Sequence, residues 1–108
     1  MITLALALLL ATAPDISPAI GATIVSTHPD GRQAKLMLKA DHSYTAVSRK
    51  GERSGGTWKL KNGKVCLSQS APYPGPFPVC KLIPPVKAGQ PWKDKAFNGE
   101  PVTNRIDR

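Results

Sequence analysis

The sequence predicts an all-β domain: a small antiparallel meander of about six to eight strands, closed into a barrel or sandwich and held by one disulfide. Three observations predict it. Short runs of β-branched and apolar residues alternate with polar ones at a period of two, bounded by Gly, Pro, Asn and Asp. Asn62-Gly63 sits between two such runs, and a type I′ hairpin needs positive φ at both central residues, which this pair supplies. The only two cysteines, Cys66 and Cys80, lie in consecutive predicted strands. No stretch carries a helix of ordinary length.

The elements follow in order. Leu4 to Ala13, LALALLLATA, is an uncharged apolar run of ten residues. It is too short to span a bilayer and has the length of a secretory signal core. Small residues at Ser17 and Ala19 place the expected cut after Ala19, giving a signal over 1–19 and one β domain over 20–108. A cut after Ala13 would set Pro14 beside the scissile bond. No Lys or Arg precedes Leu4, and no cysteine lies near the cut to carry a lipid anchor. The expected address is periplasmic or secreted, with no transmembrane segment in the mature chain.

Thr23 to Thr27 is a β-branched strand. The turn His28-Pro29-Asp30-Gly31-Arg32 follows. Ala34 to Ala40 alternates, with Ala34, Leu36, Leu38 and Ala40 on one face and Lys35 and Lys39 on the other. After Asp41-His42 come Ser43 to Ser48 as a third strand and a polar turn over 50–55. Thr57-Trp58-Lys59-Leu60 puts Trp58 and Leu60 on one face, and Val65-Cys66-Leu67-Ser68 returns from the hairpin. Ala71 to Pro78 holds Pro72, Pro74, Pro76 and Pro78, so it is a stiff connecting loop and no central strand. Val79 to Ile83 re-enters the sheet before Pro84-Pro85. Lys93 to Phe97 and Pro101 to Ile106, joined at Asn98-Gly99, read as a last hairpin.

An even cysteine count in an exported chain reads as a disulfide, and two cysteines allow one connectivity. Closing that loop of about 15 residues is worth roughly 3 kcal/mol. A free thiol pair or a metal pair is the rival reading. A metal site needs further ligands, and only His28 and His42 are available, both distant in sequence.

These pieces in order resemble a loose family of small exported β-meander proteins of α-proteobacteria. The matching residues are Asp41-His42-Ser43-Tyr44, Gly56-Thr57-Trp58, Asn62-Gly63, Val65-Cys66-Leu67, Cys80 and Gly89-Gln90-Pro91-Trp92. The resemblance covers about residues 41 to 106. It implies a fold and a compartment, and it brings no catalytic residues. Lys81 stands where that pattern has an aromatic residue after the second cysteine, and the loop before Cys80 is richer in proline. Gly56-Thr57-Trp58 is also similar to a motif of lipocalins, avidins and periplasmic metalloprotease inhibitors. Lipocalins carry it on their first strand, whereas Trp58 lies mid-chain.

The chain has 15 basic and 7 acidic residues among its 108; removing 1–19 takes away Asp15 and no base, leaving 15 against 6, a net +9. That balance favours anionic partners such as acidic glycans or lipid headgroups. Lys59, Lys61 and Lys64 flank the Asn62-Gly63 hairpin as a candidate anion-binding group. Nucleic-acid binding would want aromatics interleaved with bases on an open face, and this pattern does not supply them. No Gly-x-Ser-x-Gly, phosphate loop or His-Glu-x-x-His occurs, so no catalytic residues, metal or cofactor are assigned. His28 with Asp30, or His42 with Asp41, offers at most two metal ligands.

The remaining candidate is the 71–78 loop. Tyr73, Pro74, Pro76 and Phe77 put two aromatics on a stiff tether between disulfide-linked strands, and such a loop loses little entropy on docking. The expected function is a non-enzymatic exported domain that binds a protein or an anionic envelope component. The alternative is a periplasmic hydrolase or protease inhibitor acting through this loop.

Overall fold

The computed structural model describes residues 16–96 and 99–108. Eight antiparallel strands form one curled sheet: β1 (Thr23–Thr27), β2 (Gln33–Leu38), β3 (Ser43–Val47), β4 (Arg53–Lys61), β5 (Lys64–Ala71), β6 (Val79–Lys81), β7 (Trp92–Lys95) and β8 (Pro101–Asp107). Strands β1 to β6 run as a meander, and the β7–β8 hairpin adds to the free side of β1. The order β6-β5-β4-β3-β2-β1-β8-β7 leaves β6 and β7 as edges of a half-barrel. The expected all-β meander with one disulfide is thus observed, as a single curled sheet and not as two stacked ones.

Turn chemistry sets the register. Asn62 and Gly63 both have positive φ, 52° and 76°, and Lys61 pairs with Lys64 across the turn. In the first turn Gly31 has φ 84°, its N–H reaches the His28 carbonyl at 2.9 Å, and the Asp30 carboxylate accepts from the Arg32 N–H at 3.0 Å. At the β2–β3 turn Asp41 accepts from both the backbone N–H (2.9 Å) and the hydroxyl of Ser43. The Ser43 hydroxyl first, then its N–H, hold the Asp41 carboxyl below the usual carboxylate range. The register between β4 and β5 slips at Gly55/Gly56. There a Cβ on Gly56 would stand 1.9 Å from the Ser68 carbonyl oxygen, so only glycine fits this close backbone approach.

Trp58 anchors one end of the sheet. It is buried, its indole N–H donates to the Lys39 carbonyl at 2.8 Å, and the His42 ring stacks on it at 4.3 Å between centroids. The same end is packed with Leu38, Tyr44, Val65 and Ile106. Two segments outside the sheet complete it. Ile83 and Val86, on the connection from β6 to β7, pack into this cluster, and the Gly89 N–H reaches the Ile106 carbonyl at 2.8 Å. From the other side comes a short 3-10 turn, Ser17–Ala19, with Pro18 in its first turn, where a missing N–H costs nothing. It buries Ile16, Ala19 and Ala22, and the Gly21 N–H bonds the Leu38 carbonyl at 2.8 Å.

Residues 1–15 of the expected signal lie outside the described residues, whereas Ile16 and Ala19 are part of the packed core. The cut after Ala19 would remove Ile16 and Ala19 from it. A chain beginning at residue 20 should therefore be less stable than one beginning at residue 14 by about 3 kcal/mol, the burial of one isoleucine with its small neighbour. Denaturant unfolding of the two chains measures this, and equal midpoints would show that the turn contributes nothing.

Candidate functional site

The cavity arises from side-chain size. Along the strands, the inward residues change from large and apolar at the Trp58 end to small or polar at the other. On β1 they run Ile24, Ser26 and, just past the strand, His28; on β2, Leu38, Leu36, Ala34; on β3, Tyr44, Ala46 and, just past it, Ser48; on β4, Trp58, Gly56, Ser54. Ile24, Leu36, Ala46 and Ser54 are paired in one continuous row across four strands. In the next row Trp92 pairs with Asn104, Asn104 with Ser26, and Ser26 with Ala34. The packed end is full; the small side chains of these rows leave a cavity of about 400 Å³ on the concave face. That volume lies at the lower end of small-molecule sites, roughly 300–1,000 Å³. Its floor is Ile24, Val65 and Ile83.

Polar groups are set into this apolar wall at three places. The Ser26 hydroxyl donates to Asn104 Oδ1 at 2.6 Å, and Asn104 is a buried polar residue, 6 % exposed. At the far end Arg49 Nη1 donates to both Glu100 oxygens, at 3.0 and 3.2 Å, and His28 Nδ1 lies 3.6 Å from Glu100 and 3.4 Å from Arg49. At the seam, Lys81 of β6 reaches across to β7: its Nζ donates to the Lys95 carbonyl at 2.5 Å and lies 3.6 Å from Asp94. The two sheet edges are thus linked here by a side chain and not by a backbone ladder. Among buried side-chain nitrogens and oxygens of the described residues, one has no partner: Trp92 Nε1, in the cavity wall. Burial alone pushes the Tyr44 phenol upward.

The residues singled out in the sequence lie elsewhere. Cys66 and Cys80 are directly paired across β5 and β6 and form the disulfide, with 4.0 Å between Cα atoms. Lys59, Lys61 and Lys64 are brought together on the outer face of the β4–β5 hairpin, beside Cys66 and away from the cavity. Tyr73 and Phe77 are 68 % and 72 % exposed, and Pro74 and Pro76 are exposed with them. The loop's backbone is tied to Gln69, whose side-chain amide donates to the Tyr73 carbonyl at 2.9 Å and whose carbonyl accepts from Gly75 at 3.0 Å.

His42 covers Trp58, with its Nδ1 3.0 Å from the Trp58 carbonyl, while Asp41 is occupied by Ser43. His28 faces Glu100 and Arg49 and not Asp30, whose carboxyl is lowered first by the Arg32 N–H. Among the described residues no three His, Cys, Asp or Glu side chains converge as a metal site. Phe97 and Asn98 lie outside the described residues.

Sequence reading missed Ser26, Asn104, Arg49, Glu100 and Lys81. A signal for two of them was present: Ser26 and Asn104 are polar residues standing in the apolar register of Ile24-x-Ser26 and Val102-x-Asn104-x-Ile106. The Arg49–Glu100 pair, 51 residues apart, had no local signal.

No helix among the described residues is long and apolar enough to cross a membrane. A disulfide in a small compact domain is consistent with a non-cytoplasmic location. Comparison with family models, curated proteins and solved structures returned no match.

Lys81 is partly exposed, so replacing it by methionine should change global stability by less than about 1 kcal/mol. It should still speed amide exchange in β6 and β7, since the side chain is what links those edges. Unchanged exchange in both strands would mean that Lys81 does not hold the seam.

Proposed function

We propose that this chain is an exported, non-enzymatic binding domain whose concave face takes an anionic amphiphile of the cell envelope. The apolar body occupies the cavity, and the basic balance of the chain draws the acidic head. The observation that carries the reading is the cavity of about 400 Å³ between a packed apolar floor and a polar far end. An apolar pocket with a few convergent polar groups is the usual form of a small-molecule site. The excess of 15 basic over 7 acidic residues supports an anion, and the leader-like run Leu4–Ala13 together with the disulfide supports export.

One observation favours a second reading, a protein partner or hydrolase met by the 71–78 loop. Tyr73 and Phe77 are held outward, and exposed aromatics on a tied backbone are good docking anchors. The two readings separate by mutation. The oxidised domain is titrated with the anionic dye 1-anilinonaphthalene-8-sulfonate, which is then displaced by lysophosphatidylglycerol. Ala34→Phe, which fills the cavity, should weaken both ligands at least about tenfold, about 1.4 kcal/mol. Tyr73→Ala with Phe77→Ala should leave both unchanged. Binding that survives Ala34→Phe and is lost in the loop double variant overturns the cavity reading in favour of the loop.

A further inference from the structure

The row Trp92–Asn104–Ser26 is richer in donors than the strands around it can use. Trp92 Nε1 carries a hydrogen and accepts nothing. It is buried, it lines the cavity, and no described group accepts from it. An unmet buried donor in an otherwise satisfied structure costs about 1–3 kcal/mol and calls for an explanation. Its cross-strand partner Asn104 has Oδ1 engaged by the Ser26 hydroxyl, which leaves the two hydrogens of Nδ2 as what that amide offers. Asp94, two residues along β7 from Trp92 and also in the cavity wall, accepts from the Lys95 N–H at 2.7 Å and faces Lys81 at 3.6 Å. Trp92 and Asn104 are adjacent members of one row, and both line the cavity.

We infer that the ligand carries a carboxylate, and that this group lies inside the cavity against Trp92 Nε1–H and the Asn104 amide. The chemical class is a single-chain fatty acid: an acceptor-only head, which matches a donor row, on an apolar chain, which matches the Ile24, Val65 and Ile83 floor. Lys81 and Arg49 also line the cavity, each beside a carboxylate, Asp94 and Glu100 respectively, so the donor row and not the net charge of the wall selects the head. The inference rests on the cavity reading above and adds the chemistry of the head and its place in the site.

The test uses two soluble probes of equal chain length, decanoate and decyltrimethylammonium, displacing an apolar dye from the oxidised domain in 0.5 M salt. At about that salt, screening within a few ångströms suppresses the attraction of the basic surface for any anion. Decanoate should bind at least about tenfold tighter than the cation. Trp92→Phe removes the donor together with the five-membered part of the indole; it should weaken decanoate roughly tenfold more than it weakens the dye or the cation, the loss of one hydrogen bond to a charged group. The dye and the cation do not accept from Nε1 and register the lost ring volume alone. Asn104→Asp, which exchanges donors for acceptors at constant shape, should reverse the preference between the two probes. Equal binding of the probes by the native protein, or an undiminished preference for decanoate in both variants, overturns the inference while dye binding leaves the cavity reading standing. Failure to bind dye and both probes overturns the two together.

Discussion

A β-sheet that curls on itself encloses a volume that its inward side chains must fill, and here they fill it from one end only. Trp58, Tyr44, Leu38 and Ile106 close that end, with Ile16 and Ala19 arriving from before β1 and Ile83 from the β6–β7 connection. Opposite them most inward positions of β2, β3 and β4 hold alanine, serine and glycine, which cannot reach across to Trp92 and Asn104 on β7 and β8. Interiors are normally packed like organic crystals, so a stretch of small inward residues becomes either collapse or a cavity. The full end prevents collapse. The disulfide directly beneath β5 and β6 and the Lys81 link to β7 keep the edges in place around the space.

The polar groups of the site follow from the same constraint. A fully packed interior would have left no room for Asn104 and Ser26 at inward positions, and burying them is tolerable because they satisfy each other at 2.6 Å. The Arg49–Glu100 pair with His28 is likewise placed where the interior meets solvent, with Arg49 and Glu100 side chains 30 % and 26 % exposed. There a charged cluster avoids the desolvation cost of a deep ion pair. The outer face is separate in chemistry. Val25 is buried there between Lys35 and Arg105, whose aliphatic stems can cover it, and Lys59, Lys61 and Lys64 crowd one hairpin.

Much of the fold was legible because its determinants are local. Asn62-Gly63 needs no context to make its turn, β-branched or strand-favouring composition placed β1 and β3, alternation placed β2, and two cysteines could pair only with each other. The site was far less legible. Lys59, Lys61, Lys64, Tyr73 and Phe77 were chosen because charge runs and proline-spaced aromatics stand out along a chain, and such residues end up on its outside. The cavity is made of what is missing, small residues in register across several strands, and that register is a property of pairing.

One end of the interior is full and the other is open. The most direct measurement compares the unfolding free energies of two substitutions that add the same side chain, Ala22→Leu at the packed end and Ala46→Leu in the cavity wall. Overpacking should destabilise Ala22→Leu by about 1–3 kcal/mol. Ala46→Leu should be neutral or stabilise by up to about 1 kcal/mol, because the added apolar surface meets empty space. Equal destabilisation by the two would mean that the interior is filled alike at both ends.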